Sequence, residues 1–334
     1  MLVIQSRFMG LRRPFGMLLL ALVASCAPAT SPNAPATNEA PPAARLPGME
    51  KSEYALLAGE RVYFEVGGQG SPVVMVHGIG AGNSSHLWRE NTAQLAKTHR
   101  VYAFDFPGFA RSGARAMQYT NDLYTSVLRE FIRDVVKSPA MVVAGSLGAD
   151  YTIRVAVENP ELISRMLLSN PSGYDLNKPD NKAGRTLLTT TSARNQGLYD
   201  QFANTFLGDV ISTTLQSPAG LNFFLYNYVY LDWRRVTDEL TNIYRDNLQG
   251  PNKKFAPFSF FAGFLEQPVV ELWSKTSQPT LLVWGKDDIF TPIRFSIPML
   301  EARKDVRFEV LNARAIPYDE DFKRFNQLAQ EFLK

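Results

Sequence analysis

Only one of the 334 residues is cysteine, Cys26, and only three are histidine: His77, His86 and His99. A single cysteine excludes an internal disulfide and any cysteine metal cluster, and nothing in the pattern calls for a cofactor or metal. Basic blocks are lacking too. Lys and Arg are scattered, the formal net charge is +3, and a surface that grips nucleic acid is not expected. Hydrophobic residues make up 45% of the chain. That is enough for a substantial core, as one large domain or two small ones. The chain is expected to be a monomer acting on a small molecule.

Large apolar residues are nearly absent from residues 27–48, APATSPNAPATNEAPPAARLPG, which read as a disordered tether. Ahead of it, Arg7, Arg12 and Arg13 precede a short apolar run from Phe15 to Val23. The run is too short to span a bilayer and reads as a signal peptide over residues 1–26, with translation starting at Met1 or Met9. Val23-Ala24-Ser25-Cys26 resembles a bacterial lipobox. The resemblance implies lipidation at Cys26 and a domain tethered at the cell envelope, facing the periplasm or exterior. Each acyl methylene buried in a membrane contributes about 0.8 kcal/mol.

Beyond the tether, strand-like and helix-like patterns alternate. PVVMVHG at 72–78, AMVVAGS at 140–146 and TLLVWG at 280–285 are continuous apolar runs, as strands covered on both faces require. Between them, residues 84–97, 119–137 and 147–160 carry helical patterns, and 119–137 sets Leu123, Val127, Leu128, Phe131, Ile132 and Val135 on one face. The expected fold class is α/β, a doubly wound, mostly parallel sheet. Residues 49–170 and 279–334 form its core. Residues 171–278 lack strand periodicity and are rich in aromatics, as in LNFFLYNYVYLDW at 221–233. They predict a helical cap whose rings fill its own core and line an apolar pocket.

The chemistry gathers at loop positions. Ala144-Gly145-Ser146-Leu147-Gly148 joins a buried strand to a helix. It resembles the G-x-S-x-G nucleophile elbow of the α/β-hydrolase superfamily, with alanine for the first glycine. His77-Gly78-Ile79-Gly80 resembles the same family's H-G loop, and Asp105-Phe106-Pro107-Gly108-Phe109-Ala110-Arg111-Ser112 its structural D-x-P-G-x-G-x-S loop. The resemblance implies that Ser146 is the nucleophile and that the amides of Ile79 and Leu147 form an oxyanion hole. One such donor can be worth about 3 kcal/mol. Trp284-Gly285-Lys286-Asp287-Asp288 matches the place of the triad acid, which falls on Asp288 with Asp287 as the alternative.

The triad histidine is missing. Arg314-Ala315-Ile316-Pro317-Tyr318-Asp319-Glu320 aligns with the family's last motif, and Ala315 falls on the histidine; none occurs after His99. A serine hydroxyl without a base is a poor nucleophile, and deleting such a histidine costs about a million-fold in rate. His86, at the start of the first helix, is the substitute base to consider. His77 braces the oxyanion loop, and His99 sits before a strand at the opposite edge. An Asp288–Arg314 ion pair is expected to replace the link through histidine.

Two functions follow from these residues. One is a membrane-tethered serine hydrolase acting on a carboxylic ester or similar acyl substrate with an apolar group. The other is a non-catalytic pseudohydrolase that binds an apolar ligand or protein partner. Serine where an aspartate would be needed argues against a dehalogenase-like reaction.

Overall fold

The computed structural model describes residues 40–172 and 194–334. The leader with Cys26, the tether to residue 39 and the first part of the cap, 173–193, lie outside the described residues.

Eight strands form one sheet: β1 (Lys51–Leu57), β2 (Glu60–Gly67), β3 (Pro72–Val76), β4 (Arg100–Phe104), β5 (Ala140–Gly145), β6 (Ile163–Ser169), β7 (Thr280–Gly285) and β8 (Arg307–Leu311). Their order is β1-β2-β4-β3-β5-β6-β7-β8. From β4 to β8 every pairing is parallel, while β2 runs antiparallel to both β1 and β4. Every residue of β5 and of β7 is buried, which is why these strands read as unbroken apolar runs. β1, KSEYALL, is a partly exposed edge strand whose mixed composition gave no sequence signal.

From β3 the chain crosses first to β4 on one side and then to β5 on the other. The crevice beyond the carboxyl ends of β3 and β5 is therefore the switch point of the sheet, where open α/β folds bind ligands. His77 to Gly80 leave β3 there, and Ser146 leaves β5.

Two local expectations change. Residues 84–97 form no single helix but a 3-10 turn, Ser85–Trp88, and a short helix, Thr92–Leu95. The end of the tether docks on the core. Leu46 is 3% exposed, and the Arg45 and Leu46 N–H groups donate to the Glu65 carboxylate at 3.0 and 2.8 Å. Thr92 donates to the Pro47 carbonyl at 2.7 Å. One leucine and two satisfied amides fix a segment whose composition suggests disorder.

The described part of the cap, 194–278, is helical without a strand. Tyr199, Ala203, Phe258, Ala262 and Phe264 form a cluster of their own. Leu221, Leu225, Tyr230 and Tyr244 instead share a cluster with Trp88, Tyr318 and Phe325 of the core.

The Asp105 loop is braced around one cation. Arg111 donates to Asp105 at 2.9 Å, to Glu65 at 2.6 Å and to the Ser85 hydroxyl at 2.7 Å. Ala110 takes φ 39°, the left-handed region that favours glycine. From the cap, Lys253 Nζ donates to the Ala110 and Ser112 carbonyls at 2.6 and 3.0 Å. Burial alone would raise the Asp105 carboxyl, but Arg111 outweighs it and holds the group down at about 2. A depressed carboxylate gives stability that is present above its unfolded value and lost as pH falls through the folded one. Acid titration should therefore remove about 2 kcal/mol between roughly pH 4 and pH 2. Unfolding by urea at stepped pH should show this loss, and Asp105→Asn should flatten it.

Candidate active site

Ser146 sits at φ 51°, ψ −130°, between the end of β5 and the helix Leu147–Glu158. Such a backbone is costly for a residue with a side chain, and it persists because its neighbours over-determine it. The Ser146 N–H donates to the Ser169 carbonyl of β6 at 2.8 Å. Small residues admit the close approach: a Cβ on Gly148 would lie 2.6 Å from the His77 carbonyl, and one on Gly78 2.9 Å from the Ser146 Cβ. The elbow thus needs glycine at 78 and 148 for steric reasons, whereas Ala144 faces no such limit within its strand.

Ser146, Ile79, Leu147, Asp288 and Ala315 line one cavity of about 140 Å³. Among the described residues, no protein acceptor takes the N–H of Ile79 or of Leu147. Leu147 opens its helix, so its amide has no partner within it. Two such amides, on residues that line the cavity of a serine, could stabilise a tetrahedral oxyanion formed there.

His77 is fully buried, and both its nitrogens are engaged. Nδ1–H donates to the Gly78 carbonyl at 2.8 Å, and Nε2 accepts from the Phe106 N–H at 3.0 Å. Burial pulls its pKa down. It holds the loop that carries Ile79. His99 lies away from the cavity, bonded through Nε2 to the Leu333 carbonyl. His86 does not line the cavity with Ser146. Burial, then the charge of Arg89, pulls its pKa down to about 4. The 3-10 turn that replaces the expected helix sets it among Arg89 and Asp319 rather than at the elbow.

Asp288 lines the cavity, whereas Asp287 pairs at the surface with Lys286 at 3.7 Å. The Asp288 carboxylate is fully engaged. Oδ1 accepts from the Phe290 and Thr291 N–H groups at 2.8 and 3.2 Å, and Oδ2 accepts from the Thr291 hydroxyl and the Asn170 amide. Burial nevertheless pushes its pKa up, against these hydrogen bonds.

The Asp288–Arg314 ion pair does not form. The Arg314 guanidinium donates to the Asn227 and Tyr226 carbonyls at 2.7 and 3.5 Å. Those carbonyls belong to the short helical segment Leu225–Val229, whose carbonyl end attracts a cation. Neutral donors from Asn170 and the Phe290–Thr291 turn take the acid instead.

Several residues at the site carried no sequence signal. Asn170, at φ 48° after β6, ties Asp288 to the Gly285 amide, which donates to its Oδ1 at 3.2 Å. Tyr318 lines the cavity, packs on Trp88 with centroids 4.1 Å apart, and its ring would lie 2.8 Å from a Cβ on Gly145. Burial keeps its hydroxyl protonated far above neutral pH. Ser172 also lines the cavity; its N–H and hydroxyl both donate to buried Asp150, the hydroxyl at 2.5 Å.

The loop after β8 is latched to the cap. Asp319, fully buried, accepts two bonds from Arg89 at 2.9 Å, one from Arg235 at 2.7 Å and one from the Tyr230 hydroxyl at 2.5 Å. Glu320 accepts from the N–H groups of Leu231, Asp232 and Arg314. These two acids fix the position of Ala315.

The cavity lining is mostly apolar, with Leu221, Phe224, Phe260, Phe261 and Phe290 among the residues that share it with Ser146. Phe224 and Phe290 join Tyr228 in one aromatic group. Among the described residues, no three acidic, cysteine or histidine side chains gather as a metal site, and no helix is long and apolar enough to cross a membrane.

This chain is similar to the 2-hydroxy-6-oxononadienedioate/2-hydroxy-6-oxononatrienedioate hydrolase of a Pseudomonas species. The two are 25% identical over 267 residues, 78% of this chain and 87% of the relative. It is 26% identical to the 2-hydroxy-6-oxo-6-phenylhexa-2,4-dienoate hydrolase of Burkholderia cepacia, over 83% of this chain and 92% of that one. Among solved structures, the meta-cleavage product hydrolase of Pseudomonas fluorescens superposes with a TM-score of 0.66 at 23% identity, covering 86% of this chain and 98% of the other. The family model described as the alpha/beta hydrolase fold matches residues 71–314. With the elbow, the switch-point crevice and that match together, the chain belongs to the α/β-hydrolase fold family.

Proposed function

We propose that this protein is a serine hydrolase that cleaves an acyl substrate carrying an apolar group, with Ser146 as nucleophile and Ile79 and Leu147 as oxyanion donors. The observation that carries this reading is the cavity that a strained serine shares with two residues whose amides lack a protein acceptor among the described residues. In the proposed reaction Ser146 Oγ adds to the acyl carbon, the two amides hold the oxyanion, and water later releases the acid. Among the described residues no cationic side chain lines the cavity. That favours a neutral, apolar acyl portion and an ester over the carboxylates named for the relatives. Ala315 takes the place of the triad histidine, so slow turnover is part of the reading. Cys26 anchors the domain by lipid at the cell envelope.

Initial rates on p-nitrophenyl esters of rising chain length, beside 2-hydroxy-6-oxo-6-phenylhexa-2,4-dienoate, test the reading. Ester rates should rise until the chain fills the cavity and fall to background in Ser146→Ala. A dienoate cleaved faster than every ester would move the scissile bond from C–O to C–C. Equal rates in Ser146→Ala would remove the serine mechanism.

The second reading, a non-catalytic binder of an apolar ligand or protein partner, is favoured by Ala315 and by an Asp288 whose oxygens are already taken. An apolar ligand held equally by wild type and Ser146→Ala, with no turnover in either, would support it.

A further inference from the structure

A serine nucleophile needs somewhere to send its proton. The cavity offers few acceptors among the described residues. Tyr318 keeps its own proton, and His86 does not border the cavity. Asp288 has four donors on its two oxygens. Ser172 differs, because its hydroxyl hydrogen is committed to Asp150 Oδ2 at 2.5 Å, which leaves the oxygen lone pairs to accept. Asp150 is fully buried on the helix that begins after Ser146, one turn further on, and its N–H donates to the Ser146 carbonyl. Its carboxylate also accepts the Ser172 N–H at 3.1 Å on each oxygen. The elbow helix and the segment after β6 are thus joined by a hydroxyl–carboxylate pair at the wall of the Ser146 cavity.

We propose that Ser172 and Asp150 form a proton relay that takes the part of the absent imidazole. The inference rests on the serine-hydrolase reading above. As the bond from Ser146 Oγ to the acyl carbon forms, the Ser146 proton passes across the cavity that both hydroxyls border, by way of one water between them, to Ser172 Oγ, and the Ser172 proton passes to Asp150 Oδ2. The oxyanion then collapses, the bond to the leaving group breaks, and the leaving oxygen receives a proton back along the same path. In the second half a water molecule gives up its proton by that route, attacks the acyl-enzyme and releases the acid with Ser146 reprotonated. Ser172, which borders the cavity, is the catalytic member; Asp150 acts through it.

The experiment compares fluorophosphonate labelling rates, and proton inventories of p-nitrophenyl ester hydrolysis, in wild type, Ser172→Ala, Ser172→Thr and Asp150→Asn. General acid–base groups contribute about 10²–10⁴-fold, so Ser172→Ala and Asp150→Asn should each slow both reactions at least about 100-fold. Ser172→Thr, which restores the hydroxyl, should recover most of the rate. The wild-type inventory should curve with more than one proton in flight. Thermal unfolding identifies any variant that fails to fold, and Ser172→Ala keeps the Asp150 carboxylate in place. Wild-type labelling with Ser172→Ala within threefold of it would overturn the relay and leave the hydrolase reading standing. No labelling of wild type would overturn both.

Discussion

Ala315→His is expected to raise ester hydrolysis by about 10²–10⁴-fold, the range for a positioned general base. The substitution adds the group at a point bordering the cavity of Ser146 and Asp288, on a loop that Asp319 and Glu320 already hold in place. The new imidazole would compete with the Thr291 hydroxyl and the Asn170 amide for Asp288 Oδ2. The gain should therefore be larger in kcat than in the effect on KM, since the apolar walls that bind the acyl group do not change. The pH–rate profile should acquire a limb near the histidine range. A variant that folds as well as wild type yet gains less than threefold would show that the site lacks more than a base.

Asp319→Ala is expected to destabilise the protein by about 3–5 kcal/mol, because it leaves Arg89 without its carboxylate partner and Arg235 with Glu90 alone, at 3.1 Å. Removing the shared acid of a buried charge cluster leaves its cations undercompensated, and the Tyr230 hydroxyl loses its acceptor as well. For a chain of this size each kcal/mol shifts the melting temperature by roughly 2–4 °C, so the midpoint should fall by roughly 10 °C. Differential scanning calorimetry measures it directly. A fall of less than 2 °C would mean that the cluster contributes little beyond its desolvation cost. Since Asp319 joins the loop after β8 to Tyr230 and Arg235 of the cap, the same variant should loosen the cap over the cavity and weaken apolar inhibitors.

Much of this was legible in the sequence, for identifiable reasons. Buried parallel strands leave unbroken apolar runs, so β3, β5 and β7 were readable. The elbow was readable because a strained turn at a close approach admits few residue types, which Gly148 shows against the His77 carbonyl. The edge strand β1 and the docked Leu46 were not, since neither has periodicity and both depend on partners far along the chain. The Arg314 expectation failed because charge complementarity alone chose its partner. In the fold, a helix end supplied carbonyls to the guanidinium, and Asn170 supplied an amide to the acid. Asn170, Ser172 and Asp150 were invisible for a related reason. Each is an ordinary polar residue in one dimension and joins the site only where β6 ends beside β5 and β7.

The most direct measurement is the mass of the intact protein after exposure to a fluorophosphonate, with the adduct located by peptide sequencing. The serine mechanism predicts one adduct per chain, on Ser146, absent from Ser146→Ala and formed faster in Ala315→His. An unmodified protein after prolonged exposure, or an adduct on another residue that persists in Ser146→Ala, would contradict it.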